Sequence, residues 1–222
     1  MRGVAGEYPL DAATTFAVGV ALASWVRDHP AAGGVTMDPE VVIGMDTRES
    51  GPSIAASVAG GLASRGIKAR FAGLITTPGI AHVTRSGPFA AGVMISASHN
   101  PYRDNGIKII DHSGFKLPDE DEHVLERDIF ACLDSGVRAE PAPLEIDEGL
   151  DSEYIEHLAA TLPAGLAGMR IVVDAAQRVG RCHDGVSPAL QPFGDPVPAR
   201  GVGEGAVHQH DGWFRAMVVR LR

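Results

Sequence analysis

The sequence predicts an α/β protein: a three-layer α/β/α domain on a mostly parallel mixed sheet, followed by the start of a second, similar domain. Three observations carry this. Val41–Met45 is a short, continuous apolar run that suits a strand buried on both faces, and Gly92–Ser96 and Gly106–Ile110 read as further strands. Segments with helical spacing stand between strands. The chain, 222 residues at 45% hydrophobic and 21% charged, is long enough for one large domain or two small ones.

The elements follow in order. Asp11–Asp28 has helical spacing, with Phe16, Val20, Ala23 and Val26 on one face and Asp11 as N-cap. His29-Pro30 and Gly33-Gly34 end it. Val41–Met45 is a buried strand running into the polar loop Asp46–Ser50. Ser53–Arg65 is a helix rich in small residues that closes at Gly66, and Ile67–Phe71 is the next strand. Thr76-Thr77-Pro78 opens another helix, with threonine as cap and proline in the first turn. Strands at Gly92–Ser96 and Gly106–Ile110 follow, then helices over about 119–133 and 152–160. Pro141, Pro143 and the acids to Glu148 read as a linker, and Ile171–Asp174 as the first strand of a second α/β unit. Ligands of such sheets sit beyond the carboxyl ends of the strands, so the loops at Asp46, Thr76 and Ser98 are expected to converge on one rim.

Composition narrows the class. The apolar fraction is too high for a disordered chain, and no run approaches the roughly 18 apolar residues of a membrane helix. Met1–Leu10 lacks the basic start and apolar stretch of a signal peptide, and two cysteines, Cys132 and Cys182, suit a reducing cytoplasm. The net charge is −9, yet residues 1–110 carry 9 basic and 8 acidic side chains. Residues 111–157 carry 3 basic and 15 acidic ones. This acidity argues against nucleic acid as a partner, and Asp119–Glu122 reads as a solvated first helical turn, not a metal site.

The chemistry concentrates in Gly92–Lys108. A buried strand runs into a turn carrying Ser96, Ser98, His99 and Asn100, with Pro101 restricting the backbone and small Ala97 leaving room for a substrate. Lys108 on the returning strand supplies a positive charge or a proton. A serine hydroxyl is a weak nucleophile unless activated, and adjacent Ser98 and His99 do not make a triad without a third orienting group. A hydrolase therefore fits less well than a Ser98 that carries a phosphoryl group, whose transfer depends on positioning and charge neutralisation. A helix cap or plain loop is the bland alternative.

Ile95–Pro101 followed by Asp104–Lys108 resembles the phosphoserine loop of the α-D-phosphohexomutase superfamily, nearest in wording to its phosphoglucosamine mutases, with the phosphoglucomutase/phosphomannomutases as near relatives. Met1–Glu7, Gly44–Gly51 and Leu74–Pro78 resemble three further motifs of that superfamily in the same order. The resemblance implies Ser98 as phosphoryl donor and acceptor, its phosphate one ligand of a Mg²⁺. It implies Lys108 as acid/base, Arg2 as a cation beside the phosphoserine, and His99 and Asn100 as residues that shape the loop. Asn100, Ser96 and Arg48 would line the phosphate loop, although on the residues alone Arg48 reads as a structural cation paired with nearby acids. The implied reaction interconverts glucosamine 6-phosphate and glucosamine 1-phosphate through a hexose bisphosphate, which also serves as activator. Glucose or mannose phosphates, or a non-catalytic remnant, are the alternatives.

The resemblance covers Met1 to about Ala176. It implies residues 1–148 as the superfamily's domain I and 149–176 as the beginning of domain II. The superfamily's Asp-Gly-Asp-Gly-Asp-Arg metal loop and Gly-Glu-x-Ser-Gly sugar loop are not found in the chain, so alone it is expected to be inactive. Residues 177–222 are pattern-free. Their Cys182-His183, Gly201–Gly205 and His208–Asp211 mimic metal or phosphate motifs without the required context. A frameshift near Ala176, or a disordered tail, accounts for such a stretch. Sequencing the locus is then expected to find a downstream frame encoding the Asp-Gly-Asp loop; no such frame contradicts the frameshift.

Overall fold

A computed structural model describes residues 1–29 and 38–161, together with the backbones of 170–174 and 216–220. The chain divides into two units, Met1–Leu158 and Ala159–Arg222. In the first, strands β1 (Arg2–Val4), β2 (Glu40–Met45), β3 (Lys68–Leu74), β4 (Phe89–Ile95) and β5 (Asp104–Asp111) form one sheet in the order β1-β5-β4-β2-β3. Of the second, β6 (Arg170–Asp174) pairs antiparallel with β7 (Ala216–Arg220). The remaining residues of 177–222, with the motif mimics read there, lie outside the described residues.

The sheet is less parallel than its apolar runs suggest. β2 is parallel to β3 and to β4, but β5 is antiparallel to β4 and to β1. The physical reason is connection length: 96–103 is too short for the dozen or more residues of a parallel crossover. β3 and β4 also run longer than expected. Ala72 is an extra residue opposite β2, beside Gly73 at φ +67°, and Ala90 is another at the start of β4. Such bulges interrupt the periodicity from which strand ends are read.

Helices cover both faces. α1 (Ala12–Asp28), α2 (Gly51–Ser64) and α4 (Asp119–Asp134) pack on one side, where Val41, Ile43, Val93, Ile95 and Ile107 meet Val18, Leu22, Val58, Leu62 and Leu125. α3 (Thr77–Ser86) and α5 (Glu148–Ala160) cover the other, where Val42, Met94 and Ile110 meet Ile80, Val83 and Leu150. Alternate residues of β2 and β4 thus feed two cores, which is why their sequence is apolar without interruption. Asp11 caps α1 as expected, accepting from the Thr14 N–H at 2.9 Å, and Thr76 caps α3 through Gly79 N–H at 3.2 Å. Lys116 bonds Asp119 and Glu122 in the acidic first turn of α4.

α1 is buried nearly all round, not along one face. Glycines permit this. A Cβ on Gly61 would lie 2.1 Å from the Phe16 carbonyl oxygen, and one on Gly19 2.1 Å from that of Val58. The small residues of α2 are therefore the contact surface by which two helix backbones approach.

The Pro141–Glu148 stretch is not a free linker. Ala142 N–H donates to Ala56 O at 2.9 Å, Asp147 N–H donates to Phe71 O at 2.7 Å, and Ile146 bridges to Phe71. It covers the otherwise unpaired edge of β3. Arg70 donates to the Asp147 carboxylate, which holds that carboxyl below its usual range. Asp147 also accepts from the Gly149 N–H, so α5 begins four residues before Ser152.

Two outcomes follow from this packing. Gly61→Ala, which would add about 1 kcal/mol of propensity in a free helix, is expected to destabilise by about 1–3 kcal/mol through overpacking. A urea titration reads this as a lower midpoint. Because the Asp147 pKa is depressed in the folded state, its stabilisation is present above the unfolded carboxylate pKa and lost as pH falls through the folded value. Asp147→Asn is thus expected to lower the melting temperature at pH 7, with the difference from wild type closing at acid pH.

Candidate active site

The carboxyl ends of β2, β3 and β4 share one rim, as their parallel pairing requires, and β5 starts from that rim because it is antiparallel. The Asp46 and Ser98 loops meet there: Asp46 N–H donates to Ile95 O at 3.0 Å, and Ser96 Oγ donates to Asp46 Oδ2 at 2.7 Å. The Thr76 turn is joined through Ile75 N–H to Met45 O at 3.1 Å.

Ser98 lies exposed at the tip of a tight turn closed by Asn100 N–H to Ala97 O at 3.2 Å. Its φ is +57°, which no other non-glycine among the described residues shows. That region is sterically poor for an L side chain and is tolerated where the surroundings over-determine it. Here they do. Ser98 N–H donates to Ser96 Oγ at 3.0 Å, and Ser98 O accepts from Arg48 Nη2 at 2.7 Å.

Arg48 is the centre of this loop. It is 8% exposed. Its Nη1 donates to the carbonyls of Pro101 (2.6 Å), Tyr102 (3.3 Å) and Asp104 (2.7 Å). Its Nη2 donates to those of Ser98 and Asn100 (3.0 Å), and Nε to Asp46 Oδ2 at 3.1 Å. The guanidinium is thus engaged with five loop carbonyls and one carboxylate. Its Nε, Nη1 and Nη2 all donate into the loop.

The other expected residues fall around it. Arg2 on β1, paired with Gly106 of β5, is exposed and donates from Nη1 to Asn100 Oδ1 at 3.3 Å. Gly106 allows this closure, since a Cβ there would lie 2.8 Å from Ser96 O. His99 is exposed, with Nδ1 3.5 Å from Ser98 Oγ, at the outer limit of a hydrogen bond. Asn100 donates to Asp104 Oδ2 at 3.2 Å. Lys108 is half-buried on β5 opposite Met94, and the structure does not bring it into hydrogen-bond contact with Ser98.

Three supporting residues are missing from the sequence reading. Asp46 joins both sides of the turn. Asn105, fully buried, donates to Ser50 Oγ at 2.9 Å and accepts from the Gly106 N–H. Tyr102 accepts at its hydroxyl from the Glu49 N–H at 3.1 Å. Only Asp46 had a local signal: an Asp two residues before Arg48 makes an Asx turn, here Arg48 N–H to Oδ1 at 3.1 Å.

Among the described residues, no group of three or more His, Cys, Asp or Glu side chains gathers as a metal ion needs. The carboxylates of the site, Asp46 and Asp104, are engaged by Arg48, Ser96 and Asn100. The residues described therefore do not fit a complete Mg²⁺ site, and a phosphorylated Ser98 would add a single ligand.

Residues 1–133 match the family model "Phosphoglucomutase/phosphomannomutase, alpha/beta/alpha domain I". The fold and the serine turn define a protein of this class, and the chain belongs to that family. Its relatives include a phosphoglucosamine mutase of Solibacter usitatus, 49% identical over 86% of this chain and 40% of that protein. One of Koribacter versatilis is 44% identical over 79% of the chain and 38% of the protein. Among solved structures, a protein of Thermus thermophilus, provisionally described as a phosphomannomutase, superposes with a TM-score of 0.61 at 28% identity. That match covers 73% of this chain and 34% of the other. The chain spans about two fifths of the length of these curated relatives. No described helix is long and apolar enough to cross a membrane.

Removing Arg48 leaves five loop carbonyls and the Asp46 carboxylate without their donor, and each buried group left unsatisfied costs about 1–3 kcal/mol. Arg48→Ala is expected to accelerate amide hydrogen exchange over Ser98–Asp104 by roughly a hundredfold or more. Arg48→Lys, with one ammonium in place of the fork, is expected to protect that loop only in part. Unchanged exchange in Arg48→Ala contradicts the geometry above.

Proposed function

We propose that this chain carries the phosphoryl donor and acceptor serine of a phosphohexomutase acting on glucosamine phosphates. The observation that supports this most is Ser98, exposed on a turn whose flanking peptide groups are both held, in a family domain whose curated relatives are phosphoglucosamine mutases. A donor serine needs an accessible hydroxyl at a fixed position, because phosphoryl transfer gains mainly from alignment and charge neutralisation.

In the loading step, Ser98 Oγ attacks a phosphorus of a hexose bisphosphate. The P–Oγ bond forms, the P–O bond to the sugar breaks, and the sugar oxygen takes a proton. For isomerisation the phosphoserine then donates to the free hydroxyl of a hexose 6-phosphate, the bisphosphate so formed turns round, and Ser98 takes back the phosphoryl group from the 6-oxygen, leaving the 1-phosphate. In this reading Arg2, bonded to Asn100, meets the anionic substrate at the loop, and His99, with Nδ1 3.5 Å from Ser98 Oγ, accepts the hydroxyl proton. Lys108 serves as the second acid/base of the pair. A Mg²⁺, when held by Ser98 phosphate and ligands beyond those described, would neutralise charge on the transferring group. Ser96 and Asn100 shape the turn. The parent enzyme is read as cytoplasmic, with a hexosamine or hexose phosphate as ligand.

The purified chain, incubated with hexose bisphosphate and Mg²⁺, is expected to gain the mass of one phosphoryl group, located at Ser98 by peptide mapping and lost in Ser98→Ala. No gain under any condition would favour a non-catalytic anion-binding domain. A coupled mutase assay on the same sample is expected to show little or no turnover, and robust activity contradicts the expectation that the chain alone is inactive.

A further inference from the structure

The serine turn rests on a carboxylate to which the mechanism gives no part. Asp46 stands at the end of β2, its side chain 27% exposed, outside the turn that it touches. Its Oδ2 accepts both the Ser96 hydroxyl (2.7 Å) and Arg48 Nε (3.1 Å), while Oδ1 accepts the Arg48 N–H (3.1 Å). The Ser96 proton is thereby committed to Asp46, which turns a lone pair of Ser96 toward the Ser98 N–H. On the opposite side, the guanidinium oriented by Asp46 takes the Ser98 carbonyl. One carboxylate therefore governs the peptide group on each side of Ser98, and the two peptide groups together set its φ and ψ.

We propose that Asp46 is a positioning residue: acting through Ser96 and Arg48, it holds Ser98 in the left-handed conformation from which its hydroxyl is presented for phosphoryl transfer. Only the transfer clause rests on the function proposed above. Helix capping does not account for Asp46, because Ser50 is the residue that precedes α2. A surface ion pair does not account for it either, because Arg48 is buried and the Ser96 bond carries no net charge on the partner. A left-handed serine is unfavourable unless it is imposed, so the device has a stability signature independent of any substrate.

The test is a stability cycle together with a loading rate, on the full chain. Ser98→Gly relieves the positive φ and is expected to raise the melting temperature by a few degrees. In Asp46→Asn, where an amide nitrogen replaces an acceptor, the turn is released and the same glycine substitution is expected to gain nothing. Ser96→Ala, which removes one link only, is expected to behave likewise if Asp46→Asn does not fold. An equal gain in all backgrounds overturns the proposal. In the loading arm, both variants are expected to slow phosphate incorporation from saturating hexose bisphosphate roughly ten- to hundredfold. The donor concentration at half-saturation stays within about twofold, since no donor contact is removed. A raised half-saturation with an unchanged rate contradicts positioning. If wild-type Ser98 takes no phosphate, the function reading fails, and the melting cycle still decides whether Asp46 holds the turn.

Discussion

The buried Arg48 guanidinium is the interaction on which the functional rim depends. A turn of carbonyls that bends away from the sheet has no ladder partners and must find donors elsewhere. Arg48 supplies them to Ser98, Asn100, Pro101, Tyr102 and Asp104 at once. A planar fork with five N–H groups serves several acceptors where an ammonium would not. Burial makes the arrangement costly to break, since among the described residues the cation is compensated by the Asp46 carboxylate and by carbonyl dipoles. The turn is thus an extension of the β2 end, and its rigidity comes from the sheet.

The rest of the domain serves that geometry. Parallel β2 and β4 place the Asp46 and Ser98 loops side by side, and antiparallel β5 returns Asn105 and Gly106 to the same rim. β1 then lies on β5 and carries Arg2 to the turn. Behind the sheet, the glycine contact brings α2, whose first residue follows Ser50, into backbone contact with α1. The strap at 141–147 closes the β3 edge far along the sequence, and the Arg70–Asp147 pair fixes it.

Much of this was legible in the chain. Caps at Asp11 and Thr76, the apolar runs of β2 and β4, and the glycine stop at Gly66 are local features with local causes. So was Ser98, because a polar turn after a buried strand is a short motif. What escaped depends on contacts distant in sequence. β1 is a three-residue edge strand with no periodicity of its own, and its partner lies about a hundred residues away. The residues around Arg48 read as those of a structural cation, but the carbonyls that it binds lie fifty or more residues away and have no local signal. The direction of β5 was readable from its short connection, whereas the bulges at Ala72 and Ala90 were not. The strap followed from no local signal, because its prolines and acids have the composition of an open linker.

The claim that binds fold to function is that the exposed, left-handed Ser98 is a phosphate carrier. Phosphorus NMR of the folded chain after equilibration with hexose bisphosphate addresses it most directly. A phosphate carrier gives a protein-bound phosphomonoester signal that is absent in Ser98→Ala and disappears from wild type when a hexose monophosphate is added. A spectrum with no protein-bound phosphate, or one whose signal survives in Ser98→Ala, would contradict it.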